Sequence, residues 1–198
     1  MAGRESQTAV IRMMCAVVAM SCLACVSGSS RSGGLEEGIP YRLKNAGWER
    51  LGEDMCVDIS SDGSLDTELD SRPCFNLSGQ YWIFTRLPTP LRHLPTYRMT
   101  TSSRGDGVCL TIDGTLLDHR LRLAPCADSA RDNQLWIVTP MDGRGKDWEI
   151  VPYLEELSDA QRGFMLVVDT PPEGDGRPYI DTKDYVGKGY VWHLAPVN

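Results

Sequence analysis

The chain has 198 residues, 41% of them hydrophobic and 24% charged, the make-up of an ordinary globular protein. Its formal net charge is −7 and it carries no basic stripe, which argues against nucleic-acid binding, because a binder must offset phosphate charge. Nineteen Gly and twelve Pro favour many short strands joined by turns, and only 154–161 offers enough pattern for a turn or two of helix.

Residues 1–24 read as an export signal. Arg4 and Arg12 give a basic start, and the apolar run from Met13 to Ala24 is shorter than the ~20 residues that span a bilayer. Two endings compete. Leu23-Ala24-Cys25 resembles the lipobox of bacterial lipoproteins, with Cys25 as the lipidated first residue, although Cys22 stands where that pattern prefers an aliphatic side chain. The other ending is plain cleavage and free secretion. Residues 25–40 are rich in Ser and Gly and are expected to form a flexible linker. A tether of this kind favours a lipoprotein on the bacterial envelope, and a merely disordered terminus is the rival. The membrane enters only through such an anchor.

From residue 41 onward one unit recurs three times at a period of about fifty residues. The first copy, about 41–87, runs Tyr41-Arg42-Leu43, Cys56-Val57-Asp58-Ile59, Cys74, then Gln80-Tyr81-Trp82-Ile83-Phe84. Pro88, Pro90 and Pro95 mark a joint. The second, about 97–140, runs Tyr97-Arg98-Met99, Cys109-Leu110-Thr111-Ile112, a turn at Asp113-Gly114, the alternating Leu121-Arg122-Leu123, Cys126, then Gln134-Leu135-Trp136-Ile137-Val138. A second joint occupies 141–146. The third, about 148–198, is worn: Trp148-Glu149-Ile150, Met165-Leu166-Val167-Val168, Lys183 near the place of the second cysteine, then Tyr190-Val191-Trp192-His193-Leu194. Each copy predicts about four short strands. One copy cannot bury its own apolar face; three can close a barrel and remove open edges.

Three of the seven cysteines, Cys15, Cys22 and Cys25, fall in the signal or at its cleavage point, which leaves Cys56, Cys74, Cys109 and Cys126. Four cysteines allow three pairings. The repeat symmetry selects Cys56 with Cys74 and Cys109 with Cys126, each closing a loop within its own repeat and each contributing ~3 kcal/mol on the chain-entropy model. A zinc site is the rival, but the cysteines are not in close pairs and the histidines lie outside their spacing.

Other signals are weaker. Residues 58–69 echo a calcium loop, but Leu69 stands where a bidentate Glu is required. Arg104-Gly105-Asp106 spells an integrin tripeptide that suits an ordinary turn, and Asn76-Leu77-Ser78 is a glycosylation sequon. His93, His119 and His193 stand apart from any nucleophile. No phosphate loop, metal motif or nucleophile–base set is visible, so neither catalysis nor a cofactor is expected.

The order Cys-x-Asp, second Cys, Gln-x-Trp, whole in the first copy, with both cysteines and Gln-x-Trp kept in the second and worn in the third, resembles the ricin B-type lectins over about 41–198. The resemblance implies an all-β fold, the β-trefoil: three pseudo-symmetric repeats, twelve strands, a six-stranded barrel and a hairpin cap. Trp82, Trp136 and Trp192 are then expected in the core, not as sugar platforms. Gln80 and Gln134 can lock neighbouring backbone, and Tyr190 replaces the third Gln.

The family's sugar sites use an Asp two after the first cysteine, an aromatic two before the second, and an Asn beside the Gln. No repeat here is complete. Repeat one has Asp58 and Gln80, with Arg72 at the aromatic position and Gly79 at the Asn position. Repeat two has Asn133 and Gln134, with Thr111 and Ala124 in the other places. Repeat three has Val167 and Asp181 there, and Asp169, Tyr179 and Tyr185 nearby. The resemblance thus points to Asp58, Arg72, Gln80, Asn133 and Gln134 as carbohydrate-binding residues, with the planar Arg72 guanidinium standing in for the ring. An Asp58 that only hydrogen-bonds its own turn is the plain alternative. The expected function is an exported, non-catalytic module for a carbohydrate or glycoconjugate. The rival is a scaffold or toxin-type subunit that binds a protein partner.

Overall fold

The structure, a computed structural model, describes residues 35–59, 69–88, 94–113, 120–127, 132–153, 164–168, 176–182 and 189–197. All fall in the compact unit Arg31–Asn198. The export signal and Cys25 lie outside the described residues, as do His93, His119, Asp169, Lys183, Tyr185 and most of the 58–69 loop.

Twelve strands are described, four per repeat. Repeat one holds β1 (Pro40–Asn45), β2 (Met55–Ile59), β3 (Leu69–Pro73) and β4 (Trp82–Leu87). Repeat two holds β5 (Thr96–Thr101), β6 (Gly105–Asp113), β7 (Arg120–Pro125) and β8 (Trp136–Pro140). Repeat three holds β9 (Trp148–Pro152), β10 (Phe164–Val168), β11 (Pro178–Thr182) and β12 (Trp192–Pro196).

The first and last strands of each repeat form a closed antiparallel ring in the order β1, β4, β5, β8, β9, β12 and back to β1. Closure leaves no unpaired edge in the ring. The middle strands form three hairpins, β2–β3, β6–β7 and β10–β11. The chain is a β-trefoil, as the lectin resemblance implies.

The threefold symmetry can be read from the registers. Tyr41 lies opposite Trp82, Tyr97 opposite Trp136, and Trp148 opposite Trp192. One layer further, Leu43 faces Leu194, Phe84 faces Met99, and Val138 faces Ile150. These buried residues alternate with partly exposed ones, Arg42, Ile83, Ile137, Glu149 and His193 among them, so every second side chain of these stretches enters the core. Trp82, Trp136 and Trp192 are completely buried. Each indole Nε1–H donates to the carbonyl of the second residue of its own hairpin's first strand motif: Val57 at 3.0 Å, Leu110 at 3.2 Å and Leu166 at 3.0 Å. The tryptophans therefore fill the barrel and also fasten a hairpin to it. Tyr41, Phe84 and Tyr97 pack edge to face in a row, with centroids 5.8 and 6.1 Å apart.

Both expected disulfides are present, Cys56–Cys74 and Cys109–Cys126. Three features depart from the sequence reading. The packed domain begins before 41: Leu35 and Ile39 lie against the core and the Glu36 N–H donates to the Tyr41 hydroxyl at 2.9 Å, so the end of the expected linker is anchored. A short helix, α1 (Ala46–Arg50), follows β1 and is started by Asn45, whose Oδ1 accepts from the Gly47 N–H at 2.9 Å. Finally, β10–β11 forms a separate two-stranded sheet, whereas the other two hairpins extend the barrel sheet. Among the described residues no helix is long and apolar enough to cross a membrane.

Candidate functional site

The two Gln-x-Trp glutamines build the same lock twice. Each opens from a single turn of 3-10 helix, Ser78–Gln80 and Asp132–Gln134. Gln80 Oε1 accepts from the Phe75 N–H at 2.7 Å, and its Nε2 donates to Pro73 O at 2.9 Å and to Asp58 Oδ2 at 3.1 Å. Gln134 Oε1 accepts from the Ala127 N–H at 2.8 Å, and its Nε2 donates to Pro125 O at 2.9 Å and to Thr111 Oγ1 at 3.0 Å. Both amides are buried and tie the turn after the second cysteine to the strand that follows the first. Each protonated nitrogen and each oxygen has a partner, as burial demands.

What the lock grips differs between the copies. In repeat two Thr111 accepts from Gln134 and donates its own hydroxyl to Cys109 O at 3.0 Å, so its one proton is spent within the protein. Asn133, half-buried, donates Nδ2 to Ile112 O at 3.2 Å. In repeat one the lock grips a carboxylate. A Cβ at Gly79 would lie 2.5 Å from Asp58 Oδ1, closer than real Cβ contacts come. The larger Asp58 therefore goes with Gly79 and the smaller Thr111 with Asn133.

Asp58 sits on β2 opposite Asp70, and Arg72 follows Asp70 on the same face of β3. Arg72 Nε lies 3.3 Å from Asp70 Oδ2 in an exposed ion pair. Burial raises the Asp58 carboxyl above its ordinary pKa; Gln80, the Arg72 charge and the Ile59 N–H pull it back, and Asp70 adds to the rise. The structure thus brings Asp58, Arg72 and Gln80 together in repeat one, and leaves Asn133 and Gln134 on the second hairpin.

One stretch of this rim lies outside the family's sugar-site pattern. Phe75 and Leu77, between Cys74 and the 3-10 turn, are 57% and 50% exposed. Between them, Asn76 Oδ1 accepts from Arg42 Nη2 and lies 3.4 Å from the Tyr81 hydroxyl, while the Arg42 guanidinium stands 5.5 Å over the Tyr81 ring. Solvent-exposed apolar side chains beside a polar lock are visible only once the fold is known.

Repeat three has neither carboxylate nor glutamine at these places. Val167 is fully buried, and Tyr179 lies opposite it on β11. The lock is replaced by backbone: Gly189 O accepts from the Val168 N–H at 3.0 Å and from Asn45 Nδ2 at 2.7 Å. Asp181 lies on β11 opposite Met165. His193 stands between two carboxylates, its Nδ1 against Glu49 and its Nε2 2.8 Å from Asp147. Among the described residues no group of three His, Cys, Asp or Glu side chains is placed to hold a metal ion.

No family model matches the chain, and no curated protein matches it. Solved structures do. A designed three-fold symmetric protein, ThreeFoil, superposes with a TM-score of 0.57 at 17% identity, over 80% of this chain and 99% of that one. A Polyporus squamosus lectin, bound to a human-type influenza-binding epitope, gives 0.57 at 13% identity over 81% of this chain and 50% of that one. The β-trefoil lectin of the Vibrio vulnificus hemolysin/cytolysin, with N-acetyl-D-lactosamine bound, gives 0.53 at 13% identity over 81% of this chain and 96% of that one. At such identities the likeness is one of fold, the β-trefoil of these lectins.

Proposed function

We propose that the chain is a carbohydrate-binding module without catalytic activity, and that it binds through repeat one. One observation carries the reading: of the three copies, only repeat one keeps a carboxylate, Asp58, at the position that Thr111 and Val167 fill elsewhere. A carboxylate accepts hydrogen bonds from adjacent hydroxyls, and a rigid hold on it by Gln80 fixes the direction from which they arrive. Such a buried, oriented acceptor is costly to keep, because burial works against its charge. The lectins of the same fold that hold glycans support the reading by analogy.

Export belongs to the same proposal. The apolar run before Leu23-Ala24-Cys25 supports a protein sent out of the cell, held at the envelope through Cys25 or released. The mass of the mature N-terminus tests it: a lipid on Cys25 is expected for the anchored form, and an intact Met1 in the envelope fraction would contradict export by this route.

A glycan array probed with wild type and Asp58→Asn tests the binding reading. Wild type binds a defined group of glycans and the variant loses them. Wild type that binds nothing at high protein concentration, or a variant that binds as well as wild type, overturns it.

A further inference from the structure

We propose that Phe75 is the stacking platform of the repeat-one site, and that the ligand is a neutral hexopyranoside. The inference rests on the carbohydrate reading above and adds which residue contacts the sugar's apolar face and what charge the sugar carries.

The residue two before the second cysteine, where the lectin family places its ring, is Arg72. Its guanidinium is engaged by Asp70 at 3.3 Å. Phe75 follows the same cysteine and is 57% exposed as a residue, while the core aromatics Trp82 and Phe84 are fully buried. A ring held out in water has lost the burial that usually stabilises it, and a flat apolar face is what the C–H side of a pyranose covers.

Its place is fixed. Cys74, immediately before it, is bonded to Cys56. The Phe75 N–H donates to Gln80 Oε1 at 2.7 Å, and the same amide donates to Asp58 Oδ2 at 3.1 Å. One side-chain amide therefore spans from the platform's backbone to the hydroxyl acceptor. An aromatic residue and an acceptor tied to one side-chain amide, on a turn closed by a disulfide, are pre-organised for one small ring.

Repeat two supplies the internal comparison. Ala127 occupies the place of Phe75, with the same N–H bond to Gln134 at 2.8 Å, and Thr111 occupies the place of Asp58. The lock survives in both copies. The carboxylate and the ring occur together in one copy and are both missing from the other. If the lock alone were the purpose, neither would be needed.

The charge of the ligand follows from the rim. Among the described residues, the two carboxylates Asp58 and Asp70 on this hairpin face one cation, Arg72, which leaves a negative balance there. The nearby Arg42 is engaged by Asn76 and lies over the Tyr81 ring. A carboxylated or sulfated sugar would meet repulsion in a protein whose net charge is already −7.

Titration calorimetry on the full chain, with the neutral glycan found on the array and its sialylated and sulfated derivatives, tests this against Phe75→Ala and Phe75→Trp. Phe75 is exposed, so the variants keep the wild-type melting temperature. Phe75→Ala weakens binding about tenfold or more, and Phe75→Trp restores it. Wild-type binding that Phe75→Ala leaves unchanged overturns the platform while sparing the function. Tighter binding of the acidic derivatives overturns the ligand class. A wild type that binds no glycan overturns the function itself and this inference with it.

Discussion

The side-chain amide of Gln80 donates to the carboxylate of Asp58 across 3.1 Å, in a setting where neither group has much access to water. Burial is the largest influence on that carboxyl and raises its pKa above the ordinary value. A raised carboxyl in the folded state means that the folded protein binds more protons than the unfolded chain just above the ordinary carboxylate range. The contribution of Asp58 to stability is therefore fully present below that range and is lost as pH rises through the raised value. Denaturant unfolding across acid to neutral pH checks this with Asp58→Asn as reference. The stability of wild type minus that of the variant falls with rising pH in this window; a difference that is flat or rises contradicts the assignment.

The two glutamine locks make equal structural demands. Gln80→Ala strips partners from the Phe75 N–H, Pro73 O and Asp58, and Gln134→Ala does the same to Ala127, Pro125 and Thr111. Each variant should lose about 2–4 kcal/mol, since buried groups left unpaired carry their desolvation cost. Chemical denaturation measures it.

Asn45 joins the two ends of the domain. Its Oδ1 starts α1 at Gly47, and its Nδ2 reaches Gly189 O, 144 positions along the chain, where repeat three has no glutamine. Asn45→Ala should cost about 1–3 kcal/mol. Asn45→Asp, which keeps the cap and loses the donor to Gly189, should recover only part of that in a thermal melt.

His193 sits between Glu49 of α1 and Asp147 of the β8–β9 joint. Both ring nitrogens face carboxylates, so a neutral ring can donate to only one of them. His193→Ala should lower stability by about 1 kcal/mol, kept small by the partial exposure of all three groups. A double-mutant cycle with Asp147→Asn measures the coupling.

The barrel was legible because its markers are local and repeated. Tyr41, Tyr97 and Trp148, each with its tryptophan partner, recur at one period, and the cysteines recur with them. The same symmetry identified both disulfides. What escaped was long-range or too short. Five residues of α1 carry no period, and its cap is recognisable only beside Gly47. The Asn45–Gly189 bond joins positions that nothing in the sequence connects. Phe75 lies outside the pattern of the lectin sites, and its exposure is a property of the folded turn. The steric exchange between Asp58 with Gly79 and Thr111 with Asn133 depends on the close approach of residues 21 or 22 positions apart, which only the folded chain brings about.

The most direct test follows the two locks at once. In a two-dimensional nitrogen–proton spectrum, the side-chain amide of Gln80 reports on Asp58, and the Phe75 backbone amide reports on the platform. Titration with the neutral glycan should shift these two signals most and leave Gln134 and Ala127 in place. Shifts centred on Gln134 and Ala127, or signals of repeat one that stay fixed while the glycan binds, would contradict a repeat-one site.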